Sequence, residues 1–206
     1  MNSLRFSADP RTVLIADASV VINLNATGRA ADIIRAFPNM FAVTAKACAE
    51  LDDGAQHGHD DARQLHDLIA ADIVQVVEVG PRGAAIYEAL IDGSARLTLD
   101  DGEAATIACA VELAGVALLD ERKARRLCAA SFAALSLGST AQLLMHDAVV
   151  TALGAQAQVE ALVMALKQGR MRVPTEYVAE VAALIGPEHA AGCASLPKAA
   201  RAATLG

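Results

Sequence analysis

Short apolar runs alternate along this chain with longer stretches whose apolar residues recur at helical spacing. Val13 to Ala16 reads as a buried strand, followed by helical sequence from Ser19 to about Ala36 that breaks near Gly28. Phe41 to Val43 predicts a short second strand, and Thr44 is placed to cap a helix reaching about Asp53. The polar segment GAQHGHDDARQ leads into a helix ending near Ala71, after which Ile73 to Val79 is β-branched and strand-like. Pro81 opens a helix through Ile91. The segment LTLDDGEAATIACAVELAG then predicts a loop and a helix, closed by Gly115 in the position of a C-terminal cap. Next come a strand at Val116 to Leu119, a helix at Glu121 to Ala129 and a last strand near Phe132 to Leu135. From Ser139 the pattern is helical to about Ile185, interrupted at Gly154, Gly169 and Pro174. No internal repeat is visible.

Strands that alternate with helices predict an α/β fold: an α/β/α sandwich with a mainly parallel central sheet, followed by C-terminal helices. Residues 12–186 are expected to form this domain. The stretch 187–206 is rich in Ala, Pro and Gly, loses clear periodicity, and is expected to be a poorly ordered tail.

Composition narrows the picture. The chain has 206 residues, 54% of them hydrophobic, but much of that fraction is alanine and only six residues are aromatic, so the core needs many closely packed helices. No uninterrupted apolar stretch approaches membrane-spanning length, and Met1 to Arg11 lacks the hydrophobic middle of a signal peptide. A soluble, cytoplasmic protein is expected, with no membrane partner. Cys48, Cys109, Cys128 and Cys193 form no paired ligand motif and read as reduced, structural thiols. A net charge of −7 argues against a general nucleic-acid coating protein, yet leaves room for a nuclease whose metal offsets a local acidic cluster.

The candidate chemistry lies in carboxylates. Asp17 and Asp120 each follow directly on an apolar strand, and in parallel sheets the ligand crevice lies at that carboxyl edge. Glu50 and Glu103 fall on helices close to strand ends. Several carboxylates converge on one crevice only if cations or protons offset their repulsion, so Mg²⁺ or Mn²⁺ bound through oxygen is the expected cofactor. Each acid also has a plainer use. Asp17 with Ser19, and Asp120, suit helix capping, Asp100 to Glu103 has nearly the spacing of a capping box, and Glu50 suits an exposed helix face. Asp100 and Asp101 compete with Glu103 for the third acidic position, with Asp101 in reserve. The HGHDD stretch, with His57, His59, Asp60 and Asp61, matches no tetrahedral metal spacing and reads as a solvated turn. His66, His146 and His189 are isolated.

Three blocks resemble the PIN-domain family. LIADASVVINL, with Asp17 and Ser19, resembles its opening strand end, and VTAKACAELDDG, with Glu50, resembles its second block. LDDGEAATIACAVELAGVALLDERKARRLC resembles the branch in which Gly-Glu replaces the commoner Asp, which matches Glu103 and Asp120 to the family pattern. LGSTAQLL, with Ser139, resembles the segment after that branch's last strand. The resemblance implies a metal-dependent nuclease, most often an endoribonuclease, and in VapC-like members the toxin of a toxin–antitoxin pair. Asp17, Glu103 and Asp120 would then bind the metal, and Glu50 would ligate through water or act on the nucleophile. Ser19, Asp101 and Ser139 would support them. RNA is the implied substrate, and a small antitoxin and a second copy of the chain are the implied partners. Arg122, Lys123, Arg125 and Arg126 concentrate four of 17 basic residues just beyond Asp120, where they suit either a nucleic-acid or partner contact or a solvated helix face. Two other readings stand beside this one: a catalytically degraded PIN-like module that binds nucleic acid or protein for regulation, and phosphoryl transfer through an aspartyl phosphate at Asp17. The latter usually needs a second acid where this chain has Ser19.

Overall fold

The computed structural model describes residues 9–92 and 98–202. The chain folds into two compact units: one draws on residues 9–21 and 38–138, the other on residues 22–37 and 139–202.

The first unit carries the sheet. Strands β1 (Leu14–Ala16), β2 (Phe41–Thr44), β3 (Gln75–Val77), β4 (Val116–Leu118) and β5 (Ser136–Gly138) form one five-stranded sheet in the order β3-β2-β1-β4-β5. Every neighbouring pair is parallel, with Ile15 opposite both Ala42 and Ala117. The fold is therefore α/β, with a parallel sheet flanked by helices as in PIN-like sandwiches. β1, β2 and β4 are buried along their whole length. That burial is why they read as continuous apolar runs and not as an apolar–polar alternation.

The helices of this unit are α3 (Ala45–Ala55), α4 (Asp61–Ala70), α5 (Pro81–Ile91), α6 (Asp101–Glu112) and α7 (Arg122–Ser131). Thr44 caps α3, its hydroxyl accepting from the Ala47 amide at 3.1 Å. α6 packs on β1, β2 and β4 and on α3 and α5, and it is buried from Gly102 through Ala110. Its alanines let backbone approach backbone, while Ile107 and the strand residues Ile15 and Leu118 fill the remaining space, each contributing about 1.5–3 kcal/mol by burial.

α6 ends differently from the sequence expectation. The left-handed residue is Ala114 at φ +50°, and the Gly115 amide reaches back to the Ala110 carbonyl at 2.8 Å, closing a Schellman turn. Gly115 is needed for space instead: a Cβ there would lie 2.7 Å from the Val13 carbonyl oxygen. The last strand also shifts, from the expected Phe132–Leu135 to Ser136–Gly138. α7 runs on to Ser131, and Phe132 to Leu135 make the turn that follows, with the Leu135 amide bonded to the Phe132 carbonyl at 2.8 Å. The apolar residues that suggested a strand, Phe132 and Leu135, pack against the core from that turn.

The second unit is helical. α1 (Ala18–Ala26) starts in the first unit and ends in this one. It is followed by α2 (Ala30–Arg35), α8 (Thr140–Leu144), α9 (Asp147–Leu153), α10 (Ala155–Lys167), α11 (Val178–Ala191) and α12 (Lys198–Ala202). α10 packs against α8, α9 and α11. α11 kinks at Gly186, whose φ is +77°, ahead of Pro187. Of the tail expected over 187–206, residues 203–206 lie outside the described residues; within 187–202 the chain is helical to Ala191 and again over Lys198–Ala202, and it buries Ala190, Cys193 and Leu196. Small residues hid this from the sequence, because alanine-rich helices have little hydrophobic contrast between faces. Among the described residues no single helix is long and apolar enough to cross a membrane.

Candidate metal centre

Asp17 stands at the carboxyl end of β1 and at the N-cap position of α1, so it is a helix cap and an acid at the sheet edge at once. Its two oxygens divide these tasks. Oδ2 accepts from the Ser19 hydroxyl at 2.7 Å and from the Ser19 amide at 3.3 Å. Oδ1 is buried and has no hydrogen-bond partner. A buried acceptor left without a donor costs about 1–3 kcal/mol, so it calls for a ligand that the polypeptide does not supply.

Two further acids reach it. Ligand oxygens of Asp17, Glu50 and Asp100 all lie within 4.8 Å of one another, the one such metal-sized group of acids and other ligand residues among the described residues. Glu50 comes from α3. Asp100 is the N-cap of α6, where its Oδ1 accepts from the Glu103 amide at 2.8 Å. Asp17 is buried, whereas Glu50 and Asp100 open to solvent. Gly102 keeps the space between them free: a Cβ on it would fall 2.6 Å from Glu50 Oε2 and 3.3 Å from Asp17 Oδ1.

The electrostatics follow from crowding like charges in a poorly solvated place. Burial, with the charge of Asp100 added, pushes Asp17 up to about 6 despite its bonds from Ser19. Burial and the charges of Asp17 and Asp100 push Glu50 up to about 7. Glu103 also rises to about 7, through burial and the charges of Asp100 and Asp17, with Lys123 partly opposing the rise. Three all-oxygen donors, one orphaned buried oxygen and a glycine-lined gap fit a hard divalent cation.

The sequence-expected residues distribute as follows. Glu103 is buried in the first turn of α6 and feels the charges of the cluster, but lies outside the closest trio. Asp120 is buried beyond β4, the strand next to β1. The register sets Ala16 opposite Leu118, so Asp120 stands one residue further along its strand than Asp17 does. α7 begins at Arg122 with Glu121 in the N-cap position, so Asp120 is not its cap. Asp101 is drawn away to the surface by Lys46, 3.1 Å from it. Ser139 caps α8, accepting from the Gln142 amide at 3.3 Å.

The basic run is split in its uses. Lys123 donates to the Thr98 carbonyl, and Arg125 donates to the carbonyls of Leu119 at 3.1 Å and Gly138 at 2.8 Å, tying α7 to the ends of β4 and β5. Arg122 and Arg126 are exposed. The HGHDD stretch lies on the surface, where Arg63 pairs with Asp60 and Asp67, and it gathers no metal set.

The residue that sequence reasoning undervalued is Asp100. An aspartate three positions before a helical amide is explained completely by capping, so its second role leaves no trace in local spacing. The glycine two positions on was the available signal, because Gly102 sits inside a helix where its backbone freedom is of no use.

A family model described as a PIN domain matches residues 13–187. The chain belongs to the PIN-domain family. No curated protein and no solved structure matches it. PIN domains are generally metal-dependent nucleases, and this PIN domain carries a cluster of acidic residues of a size that could hold a divalent ion.

Proposed function

We propose that this PIN domain is a magnesium- or manganese-dependent endoribonuclease whose ion is held by Asp17, Glu50 and Asp100. Two observations carry the reading: Oδ1 of Asp17 is buried and unpaired, and carboxylate oxygens of Asp17, Glu50 and Asp100 lie within 4.8 Å of one another. A bound divalent ion supplies acidity to water and positive charge for the phosphate under attack.

The chain's own residues do the rest. Ser19 fixes the Asp17 carboxylate so that Oδ1 is presented and Oδ2 is not. Gly102 keeps the space among the three acids open. Glu103 accepts the proton of the attacking water on a carboxylate oxygen, a role that suits a base titrating near neutrality. Asp120, at the neighbouring strand end, is assigned support of the site through water. Exposed Arg122 and Arg126 are assigned to substrate phosphates, while Lys123 and Arg125 serve the structure around them.

RNA as the substrate, a toxin role with a small antitoxin, and a homodimer are supported by the likeness of the third acidic block to VapC-like chains. Four free thiols, three of them buried, support a reducing, cytoplasmic compartment. The test is cleavage of labelled RNA and DNA by purified protein in Mg²⁺, in Mn²⁺ and in EDTA, with the Asp17→Asn variant alongside. Cleavage in EDTA, or full activity in the variant, overturns the assignment. Intact folding with neither cleavage nor Mn²⁺ binding points to the degraded binding module.

A further inference from the structure

The helical unit contains a cationic hollow that the acidic cluster does not explain. A cavity of about 640 Å³ is lined by Leu166, Lys167, Arg170, Arg172, Gly192, Ala194 and Ser195. Three cations and no carboxylate line it, in a chain whose net charge is −7. Among the described residues neither Lys167 nor Arg170 lies within ion-pair distance of an acid.

The walls are built firmly. Leu166 and Met171 are buried on either side of the turn that carries Arg170, and the Met171 amide bonds back to the Ala165 carbonyl at 3.0 Å. Gly169 is packed so tightly that a Cβ would meet Asn23 Oδ1 at 2.5 Å. With both neighbours fixed, Arg170 takes a left-handed backbone at φ +54°, a conformation that glycine or asparagine normally supplies after a helix. Across the hollow, the Ser195 hydroxyl donates to the Leu166 carbonyl at 2.9 Å and holds the 193–196 turn against the end of α10. All three cations come from the 167–172 wall of this concavity, and the facing 192–195 wall is neutral.

We propose that this hollow binds the phosphate backbone of single-stranded nucleic acid. The ligand must be anionic, because three cations line the cavity. The hollow has room for more than one phosphate, at about twenty times the volume of a water molecule in the liquid. No aromatic ring lines it, so it offers no stacking platform for bases and reads backbone charge independently of sequence. The inference deepens the nuclease reading and rests on it for the class of polymer.

The experiment is binding of a fluorescent single-stranded oligonucleotide of about 12 nucleotides to the full chain in EDTA, where metal-dependent cleavage is off, over a salt series. The variant Lys167→Gln/Arg170→Asn keeps helix propensity at one position and tolerates the left-handed backbone at the other. Lys167 and Arg170 each neutralise one phosphate, so the variant's plot of log affinity against log salt flattens by about 1.4. Its affinity falls tens-fold near 50 mM salt, roughly what that slope implies. An unchanged thermal melt shows that the fold survives. Wild-type affinity and slope in the variant overturn the proposal, as does a pocket that takes inorganic phosphate but not the oligonucleotide. Asp17→Asn separates the two readings: binding that depends on Lys167 and Arg170 stands even if that variant still cleaves, which would remove the metal site alone.

Discussion

Both ends of α6 bring a carboxylate against a glycine, and they treat it in opposite ways. At the C-terminal end, Glu112 Oε2 accepts from the Gly80 and Gly83 amides, each at 3.0 Å, at the start of α5. A Cβ on Gly80 or Gly83 would collide with that carboxylate at 2.4 and 2.7 Å. The carboxylate there replaces the capping side chain that Gly80 cannot provide, and it favours the positive end of the α5 dipole. At the N-terminal end, Gly102 likewise admits a carboxylate, that of Glu50, yet no amide meets Asp17 Oδ1 and the neighbouring groups are further acids. A satisfied carboxylate is a structural clasp. Carboxylates crowded together with an oxygen left over make a candidate site.

The contrast breaks if removing the clasp hurts metal binding or removing the site leaves cleavage intact. The largest expected effect is Asp17→Asn, which should lower metal-dependent cleavage at least a hundredfold in a single-turnover assay while the protein stays folded. This exceeds the about 10–100-fold cost of losing a group that merely orients a ligand. Glu112→Ala should do the reverse. It strands the Gly80 amide, leaves the Gly83 amide only its bond to the Gly80 carbonyl, and should lower stability by about 1–3 kcal/mol in urea melts, with Mn²⁺ affinity by calorimetry unchanged.

Gly102→Ala sharpens the comparison, because it separates stability from function at one atom. Alanine favours the helix by about 1 kcal/mol, whereas the new methyl displaces the flexible Glu50 carboxylate. Mn²⁺ affinity should fall about tenfold, by analogy with lost ligand orientation, while the melting temperature holds or rises.

A smaller effect separates the ends by pH. Asp17, Glu50 and Glu103 titrate in the folded metal-free protein at about 6, 7 and 7, above their ordinary values of 3.8, 4.5 and 4.5. The folded state therefore holds protons that the unfolded chain has released. The stability linked to these groups is fully present below about pH 4 and is lost as pH rises through 6 to 7. Metal-free protein should melt lower at pH 8 than at pH 5.5, and Mn²⁺ should reduce the difference. A flat profile without metal would mean the acids are not crowded. The smallest effect belongs to the surface: Asp101→Asn breaks only the exposed pair with Lys46 and should leave the urea melt nearly unchanged, with cleavage preserved.

Particular residues show how far the sequence could be read. β1 and β4 announce themselves because both faces of a central parallel strand are buried, and Asp17 and Asp120 are legible as the polar residues that end those runs. Thr44 and the break near Gly28 were equally plain, since caps and left-handed turns depend on local chemistry. β5 was misplaced because Phe132 and Leu135 are apolar for packing from a turn, while the edge strand itself, Ser136–Gly138, has little hydrophobic character. The helices after Gly186 were missed because alanine and proline give weak periodicity even when Cys193 and Leu196 are fully or nearly buried.

The sequence by itself determined the alternation of strands and helices, the family, and which acids stand at the ends of buried strands, because these depend on side-chain polarity at near neighbours. Tertiary structure decided the membership of the trio. The approach of α3 to the start of α6 brings Glu50 to Asp100, and the β1–β4 register sets Asp120 one step beyond Asp17. A carboxylate has two oxygens, so Asp17 and Asp100 can each serve a local cap while standing in a cluster with residues distant in sequence; Asp17 caps with Oδ2 and keeps Oδ1 unpaired. Spacing along the chain reports only the first of these uses.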